Sequence, residues 1–250
     1  DHVFVMAGNG CFVEKIVVDA ARVALMPKGM DFPVAAALPM TYGTSLYALK
    51  QRAELKAGET LLVLGAAGGV GLSAVEIGKA MGAKVIAAAS SDEKINICLK
   101  HGADEAFVYP SGTLDKEQQK ELSTKIKELT AGKGADVIYD PVGGSFSEPA
   151  LRSIAWEGRF LVIGFAAGEI PKLPLNLALL KGCQIVGVFW GAWTMMCQGE
   201  NEKNFEELYD LYSAGKINPE ISDRFSLEES AAAIAHLKDR KAKGKVIIDV

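Results

Sequence analysis

From about residue 60 to residue 190 the chain repeats one pattern. A short apolar run is followed by a break at glycine or small polar residues, then by a longer stretch that is apolar every third or fourth position. The apolar runs at 61–64, 84–89, 106–109, 135–140, 159–164 and 184–189 have little or no polar face, as expected of strands buried on both sides of a sheet. The intervening stretches at 70–81, 92–101, 115–130, 145–155 and 176–181 predict helices, with Val70, Ala74 and Ile77 on one face of the first. Gly102 stands where a C-cap would end the second helix. Alternation at this spacing predicts an α/β fold, a doubly wound parallel sheet with right-handed crossovers.

The flanks read differently. Residues 1–26 look all-β: HVFVM, an Asn9-Gly10 hairpin signal, CFVEKIVVD, then a short strand at 22–25 ended by Pro27 and Gly29. A helix over 31–38, capped by Asp31 with Pro33 in its first turn, is broken by Pro39, and a second helix covers 41–53. At the other end, 201–214 is amphipathic with Phe205, Leu208, Leu211 and Tyr212 on its apolar side. A helix near 227–240 and a strand over 245–250 complete the chain.

Composition narrows the classes. The chain has 250 residues, 49% hydrophobic and 23% charged, with a net charge of −4. No long basic run points to nucleic acid, and the local KDRKAKGK at 238–245 reads as a solvated helix end. Glycines break every apolar stretch well short of the roughly 18 residues that a membrane span requires. Cys11, Cys98, Cys183 and Cys197 are far apart with no CxxC pair, which fits a reducing intracellular compartment, cytoplasmic or mitochondrial. The start, Asp1-His2-Val3-Phe4-Val5, has no methionine or signal peptide and reads like the inside of a strand, as in a piece of a longer protein.

The candidate chemistry sits at 61–71, LLVLGAAGGVG, where a strand, a glycine turn and a helix follow in order. The spacing Ala66-x-Gly68-x-x-Gly71 puts alanine at the first of the three usual glycines. Glycines allow the backbone to turn tightly and approach a pyrophosphate, which the unpaired N–H groups of the helix start would bind. The second strand ends Ala88-Ala89-Ser90-Ser91 without the carboxylate that would bond a ribose 2′-OH, and Lys94 lies four residues beyond Ser90. Hydroxyls and an ammonium suit a 2′-phosphate, so NADP is favoured over NAD. Ser90 and Asp92 also suit a cap for the helix at 92–101, and both roles are compatible.

These residues resemble a family. The run Ala35-Ala36-Ala37-Leu38-Pro39 with Thr44, then LKAGETLLVLGAAGGVG, Gly102-Ala103-Asp104, Asp140-Pro141-Val142-Gly143-Gly144, Gly158-Arg159 and Gly244-Lys245 look like the medium-chain dehydrogenase/reductases. The similarity covers essentially the whole chain and is nearest the zinc-free quinone oxidoreductase branch, which includes zeta-crystallin. It implies a Rossmann NADP-binding domain over 41–194. A GroES-like substrate domain, here incomplete, would comprise 1–40 and 195–250, with the family's first strands having no counterpart. By position, the resemblance places Thr44 near the nicotinamide and Gly68, Gly69 and Val70 at the pyrophosphate. It places Ser90, Lys94, Tyr109 and Arg240 at the 2′-phosphate, and Val142, Gly164 and Phe165 along the adenosine and nicotinamide ribose. Core packing is an equally open role for Tyr109, Val142 and Phe165.

The zinc members' cysteine ahead of the Thr44 helix and their four-cysteine lobe are missing, and His2, His101 and His236 are scattered, so no metal is expected. Without zinc to polarise a carbonyl, hydride addition to a quinone or conjugated enone fits better than alcohol oxidation. No general acid declares itself; Tyr42 and Thr44 are candidates for the pocket. Trp190 and Trp193 are candidates to line an aromatic acceptor site, against which Val186 to Trp190 reads as the last strand, an edge that in the family pairs across a homodimer. The rival readings are an enoyl-thioester reductase, a non-catalytic NADPH-binding structural or regulatory protein, and a fragment that binds NADPH without a full substrate pocket.

Overall fold

A computed structural model describes residues 1–250. The first elements are two short antiparallel strands, β1 (Val3–Val5) and β2 (Val23–Leu25), with Val5 opposite Val23. The hairpin expected at Asn9-Gly10 does not form, and residues 11–19 carry no strand. Their apolar side chains have no surface to cover: Val17 is fully exposed and Phe12, Val13 and Ile16 are largely so. A strand without a partner or a buried face gains too little to offset its ordering.

The helix α1 (Phe32–Leu46) runs unbroken through Pro39, where a break was expected, and continues as a π-helical turn over Tyr47–Arg52. Proline removes one helix hydrogen bond, but Leu38, Tyr42 and Leu46 on the same helix are fully buried, and that packing holds it together. Asp31 stands at the N-cap without a side-chain bond.

Next come β3 (Thr60–Leu64), α2 (Gly69–Ala80), β4 (Lys84–Ala89), α3 (Asp92–Lys100), β5 (Glu105–Val108), α4 (Lys116–Leu129) and β6 (Ala135–Asp140). They are followed by α5 (Ser147–Arg152), β7 (Ile154–Val162), α6 (Leu175–Lys181) and β8 (Gln184–Gly187). The six strands are parallel in the order β5-β4-β3-β6-β7-β8. Alternate residues feed two cores. Leu61, Val63, Val85, Val137 and Leu161 pack with α1 and α2, while Leu62, Leu64, Ile86, Ile138 and Phe160 pack with α4 and α5. The chain builds outward from β3 to β5, then returns to β6 on the other side of β3. The crevice at the carboxyl ends of β3 and β6 is therefore the switch point at which such sheets bind ligands.

The last strand is shorter than expected: β8 ends at Gly187, and Trp190 opens α7 (Trp190–Met196) instead of lying on the edge. Its ring fills the space over Gly43, where a Cβ would lie 2.6 Å from it. Then follow α8 (Gln198–Ser213), β9 (Ile221–Ser226), α9 (Ser230–Lys238) and β10 (Lys245–Asp249). The parallel pair β9–β10 forms its own small sheet. Strand β9, ISDRFS, carries no apolar run in the sequence: it is polar, with Arg224 exposed and the other five residues half-buried.

Candidate cofactor site

The glycine turn is built by steric necessity. Gly71 lies under the turn, and a Cβ there would come within 2.4 Å of the Gly65 carbonyl oxygen and 2.7 Å of Ala66 Cα. Gly65 itself has φ +58°, open to glycine at little cost. Ala66, at the first fingerprint position, is fully buried and donates its N–H to Ala88 O at 3.0 Å, so its methyl points into the core and leaves the turn open. Gly68 is the N-cap of α2 and brings no capping side chain, so the N–H groups of Gly69, Val70 and Gly71 have no acceptor within the protein. From below, the Ser45 and Ser73 hydroxyls lie 3.1 and 3.0 Å from Val70 O and tie the first turn of α2 to α1. This is a preformed cradle for an anion.

The facing wall hangs on Asp140 at the end of β6. Its carboxylate accepts from the N–H groups of Val142 and Gly143, both at 2.9 Å, and from Ser147 Oγ at 2.6 Å. Burial pushes its pKa up against those bonds, which favour the charged form. Val142 thereby sits against Gly65, where a Cβ would lie 2.9 Å from Val142 Cγ2. Gly164 donates to Asp140 O at 3.4 Å, and Phe165 covers Gly143. Val142, Gly164 and Phe165 thus gather beside the glycine turn at the strands' carboxyl ends, and Phe165 is exposed there rather than packed in the core.

The four residues expected at a 2′-phosphate come from three parts of the chain and meet. Lys94 Nζ lies 3.4 Å from Ser90 Oγ and 3.3 Å from Arg240 O. Ser91 caps α3, accepting from Lys94 N at 3.4 Å, which leaves the Ser90 hydroxyl to the crevice. Tyr109 is buried with its ring 4.8 Å from that of Phe146. Burial pushes its hydroxyl up to about 12, against the opposing effects of the Gly65 backbone and of Arg240. Tyr109 therefore packs in the core at the end of the sheet. No carboxylate ends β4.

The basic segment 238–245 is not a solvated helix end. Beyond α9 it lies across the crevice: Lys94 holds Arg240 O, Lys243 pairs with Glu93, and Gly244 N donates to Ala67 O at 2.9 Å. A second hold lies below. Buried Glu76 accepts from Tyr42 Oη at 2.5 Å, from Asn218 N and from His101 Nδ1 at 2.7 Å, while His101 Nε2 reaches Glu220 at 3.1 Å. Tyr42 is consequently not a pocket residue: its hydroxyl is buried on Glu76, and burial drives its pKa far above the usual tyrosine range. Thr44 is half-buried on α1, and its hydroxyl makes no bond within the protein. Trp190 and Trp193 form a small cluster with Tyr47, the latter two stacked at 4.5 Å; Trp193 also borders a recess beside Phe165. Sequence reading missed Asp140, Glu76 and His101 as organisers. The DPVGG turn signal was the available hint for the first.

Residues 69–212 match the family of zinc-binding dehydrogenases. Quinone oxidoreductase-like protein 2 of Bos taurus is 36% identical over 251 residues, spanning all of this chain and 70% of the bovine protein. The chain belongs to the medium-chain dehydrogenase/reductases, in their quinone oxidoreductase-like branch. The quinone oxidoreductase of Thermus thermophilus, solved alone and with NADPH, superposes with a TM-score of 0.84 at 28% identity, over 99% of this chain and 76% of that one. The CurK enoyl reductase superposes at 0.78 with 27% identity, over 93% of this chain and 67% of that one. No three His, Cys, Asp or Glu side chains of this chain are grouped to hold a metal ion. His101 is already bonded at both nitrogens, and Cys98 is buried with its thiol pushed up to about 12 by burial.

Proposed function

We propose that this oxidoreductase binds NADPH and reduces a quinone or a conjugated enone without zinc. The observation that carries the reading is the group Ser90, Lys94, Tyr109 and Arg240 at the end of β4, basic and hydroxylic with no carboxylate. A 2′-phosphate would gain charge-assisted bonds there that a ribose hydroxyl would not. The NADPH-bound Thermus relative supports the same choice. Gly68, Gly69 and Val70 would hold the pyrophosphate, Val142 and Gly164 the ribose walls, and Thr44 and Phe165 the nicotinamide end.

When bound, the cofactor supplies a hydride. The chain's own contribution is position and exclusion of water. The Asp140 turn and Phe165 wall one side, and the unbonded Thr44 hydroxyl is free to orient the ring amide. An electron-poor acceptor needs no Lewis acid for hydride addition. Likeness to the CurK enoyl reductase favours an enoyl-thioester acceptor as the second reading. Steady-state assays of NADPH oxidation with a soluble quinone, an enone and a crotonyl thioester separate the two, and turnover of none of them contradicts both.

Residues 41–194 would be the cofactor domain and 1–40 with 195–250 part of the substrate domain, with α1 crossing between them. We also assign a homodimer to the edge strand β8. Around it lie the exposed side chains Ile185, Leu175, Leu179, Phe189 and Met195, an apolar surface suited to a second copy. Sedimentation equilibrium tests that directly. No helix is long and apolar enough to cross a membrane, and the four free cysteines suit a reducing intracellular compartment.

A further inference from the structure

His101 is the C-cap of α3, and both of its ring nitrogens face carboxylates. Nδ1 lies 2.7 Å from Glu76 Oε1 and Nε2 lies 3.1 Å from Glu220 Oε2, with only 11% of the side chain exposed. A carboxylate only accepts, and a neutral imidazole carries a single N–H, so one of these contacts would set lone pair against lone pair. The imidazolium, with two N–H groups, satisfies both. Glu76 is the fixed partner, since it also accepts from Tyr42 Oη at 2.5 Å and from Asn218 N at 3.1 Å. Loss of the proton therefore falls on the Glu220 contact, which is the one hydrogen bond that carboxylate makes.

The other charged and titratable groups nearby are already placed. Lys79 of α2, which lies against Gly102, is paired with Asp104 at 2.7 Å, Lys100 is exposed, and the Lys245 side chain runs along Gly69. Burial holds the Tyr42 hydroxyl protonated and pushes the thiol of Cys98, one turn back on α3, up to about 12. His101 is therefore the cation of this cluster. Its bond to Glu76 raises its pKa against desolvation, with Glu220 adding to the rise. Through Glu220 that charge reaches the cofactor crevice. The Glu220 carbonyl oxygen accepts from Lys245 N at 2.8 Å, and a Cβ on Gly244 would lie 2.4 Å from the same oxygen. Gly244 N in turn donates to Ala67 O at 2.9 Å, and Gly244 forms a parallel bridge with Gly68. Contacts thus run unbroken from His101 through Glu220 to the tail, and from the tail to the glycine turn.

We infer that His101, as an imidazolium between Glu76 and Glu220, is a positioning residue for the cofactor site: it fastens the segment 218–220, and with it Gly244 and Lys245, beside the glycine turn. Dinucleotide affinity accordingly falls as pH rises and the ring loses its proton. This rests on reading the turn as a dinucleotide site, and not on which dinucleotide it prefers.

The test is calorimetric titration with NADPH and NADH of the parent chain, His101→Gln and Glu220→Gln, from about pH 6 to about pH 8.5, together with ligand-free Tm values. The 2′-phosphate of NADPH itself titrates near pH 6, but the ratio of variant to parent Kd cancels that effect. His101→Gln should bind both nucleotides about fivefold more weakly than the parent at the acid end and equally at the alkaline end. Glu220→Gln is the informative variant, because its amide can accept from a protonated Nε2 and donate to a bare one. It should match the parent at the acid end and bind about fivefold more tightly at the alkaline end. In histidine proton spectra, the resonance absent from His101→Gln should titrate at higher pH with NADPH bound, by the logarithm of the same factor, as linkage requires. Ratios that stay level with pH would overturn the inference. So would Glu220→Gln following the parent throughout, or a His101 titration that the nucleotide leaves unmoved while Tm alone follows pH. A parent chain that binds neither nucleotide at any pH overturns the dinucleotide reading itself. A parent that binds both with level ratios overturns only the role of His101.

Discussion

The turn at residues 65–71 and the tail at residues 240–245 meet at one bridge, Gly68 beside Gly244, yet they are shaped by different forces. The turn is set by contacts within a few residues. Gly71 is required because the Gly65 carbonyl oxygen and Ala66 Cα, in the same loop, occupy the space a side chain would need. The tail is set by partners distant in sequence: Lys94 on Arg240 O, Glu93 on Lys243, Ala67 on Gly244 and Glu220 on Lys245. A change in the turn therefore damages the fold and the site together. A change in the tail or its anchors should alter ligand affinity while sparing most of the stability.

The largest expected effect lies in the turn. Gly71→Ala forces a methyl to within 2.4 Å of a backbone oxygen that cannot move independently, and should cost about 3 kcal/mol in urea denaturation along with NADPH binding. Asp140→Ala comes next. It strips three buried donors, two N–H groups and the Ser147 hydroxyl, of their acceptor, and should cost about 2–3 kcal/mol by the same measurement, with Asp140→Asn milder. If either variant kept parental stability, the walls of the crevice would not be held as described.

On the tail side the contrast should sharpen. Lys94→Gln is expected to weaken NADPH about tenfold, roughly 1.4 kcal/mol, with little change in NADH affinity or in Tm. A comparable loss for both nucleotides would instead make Lys94 an anchor of the tail. The smallest effect belongs to His101. Its bond to Glu76 raises its pKa above the ordinary 6.5, with Glu220 adding to the rise against desolvation. A raised value in the folded state means that the ion pair's stabilisation is fully present below about pH 6.5 and is lost as pH climbs through the folded value. Stability should fall on the order of 1 kcal/mol over that window, and His101→Gln should flatten the profile.

The same contrast explains what could be read from the amino-acid order. The sheet strands bury both faces, so consecutive apolar residues announced them, and all six lie where the pattern put them, though β7 starts early and β8 stops short. The glycine turn and the Ser90–Lys94 pair were visible in the amino-acid order because their contacts join near neighbours: Gly71 with Gly65 and Ala66, and Lys94 with Ser90. Pro39 misled because burial of Leu38 and Tyr42, a tertiary effect, outweighed a local break. Residues 11–19 misled because alternation without a partner is not a strand. Tyr42, a candidate for the pocket by sequence, is held away from it because Glu76, 34 residues on, accepts its hydroxyl. The tail's path could not be seen from residues 238–245, since each of its anchors lies on another part of the chain.

The most direct test of the central claim is a fluorescence titration of this chain with NADPH and, separately, with NADH. The arrangement of Ser90, Lys94, Tyr109 and Arg240 predicts that NADPH binds at least about tenfold more tightly, with the advantage shrinking as salt screens the phosphate. Equal or tighter binding of NADH would contradict it.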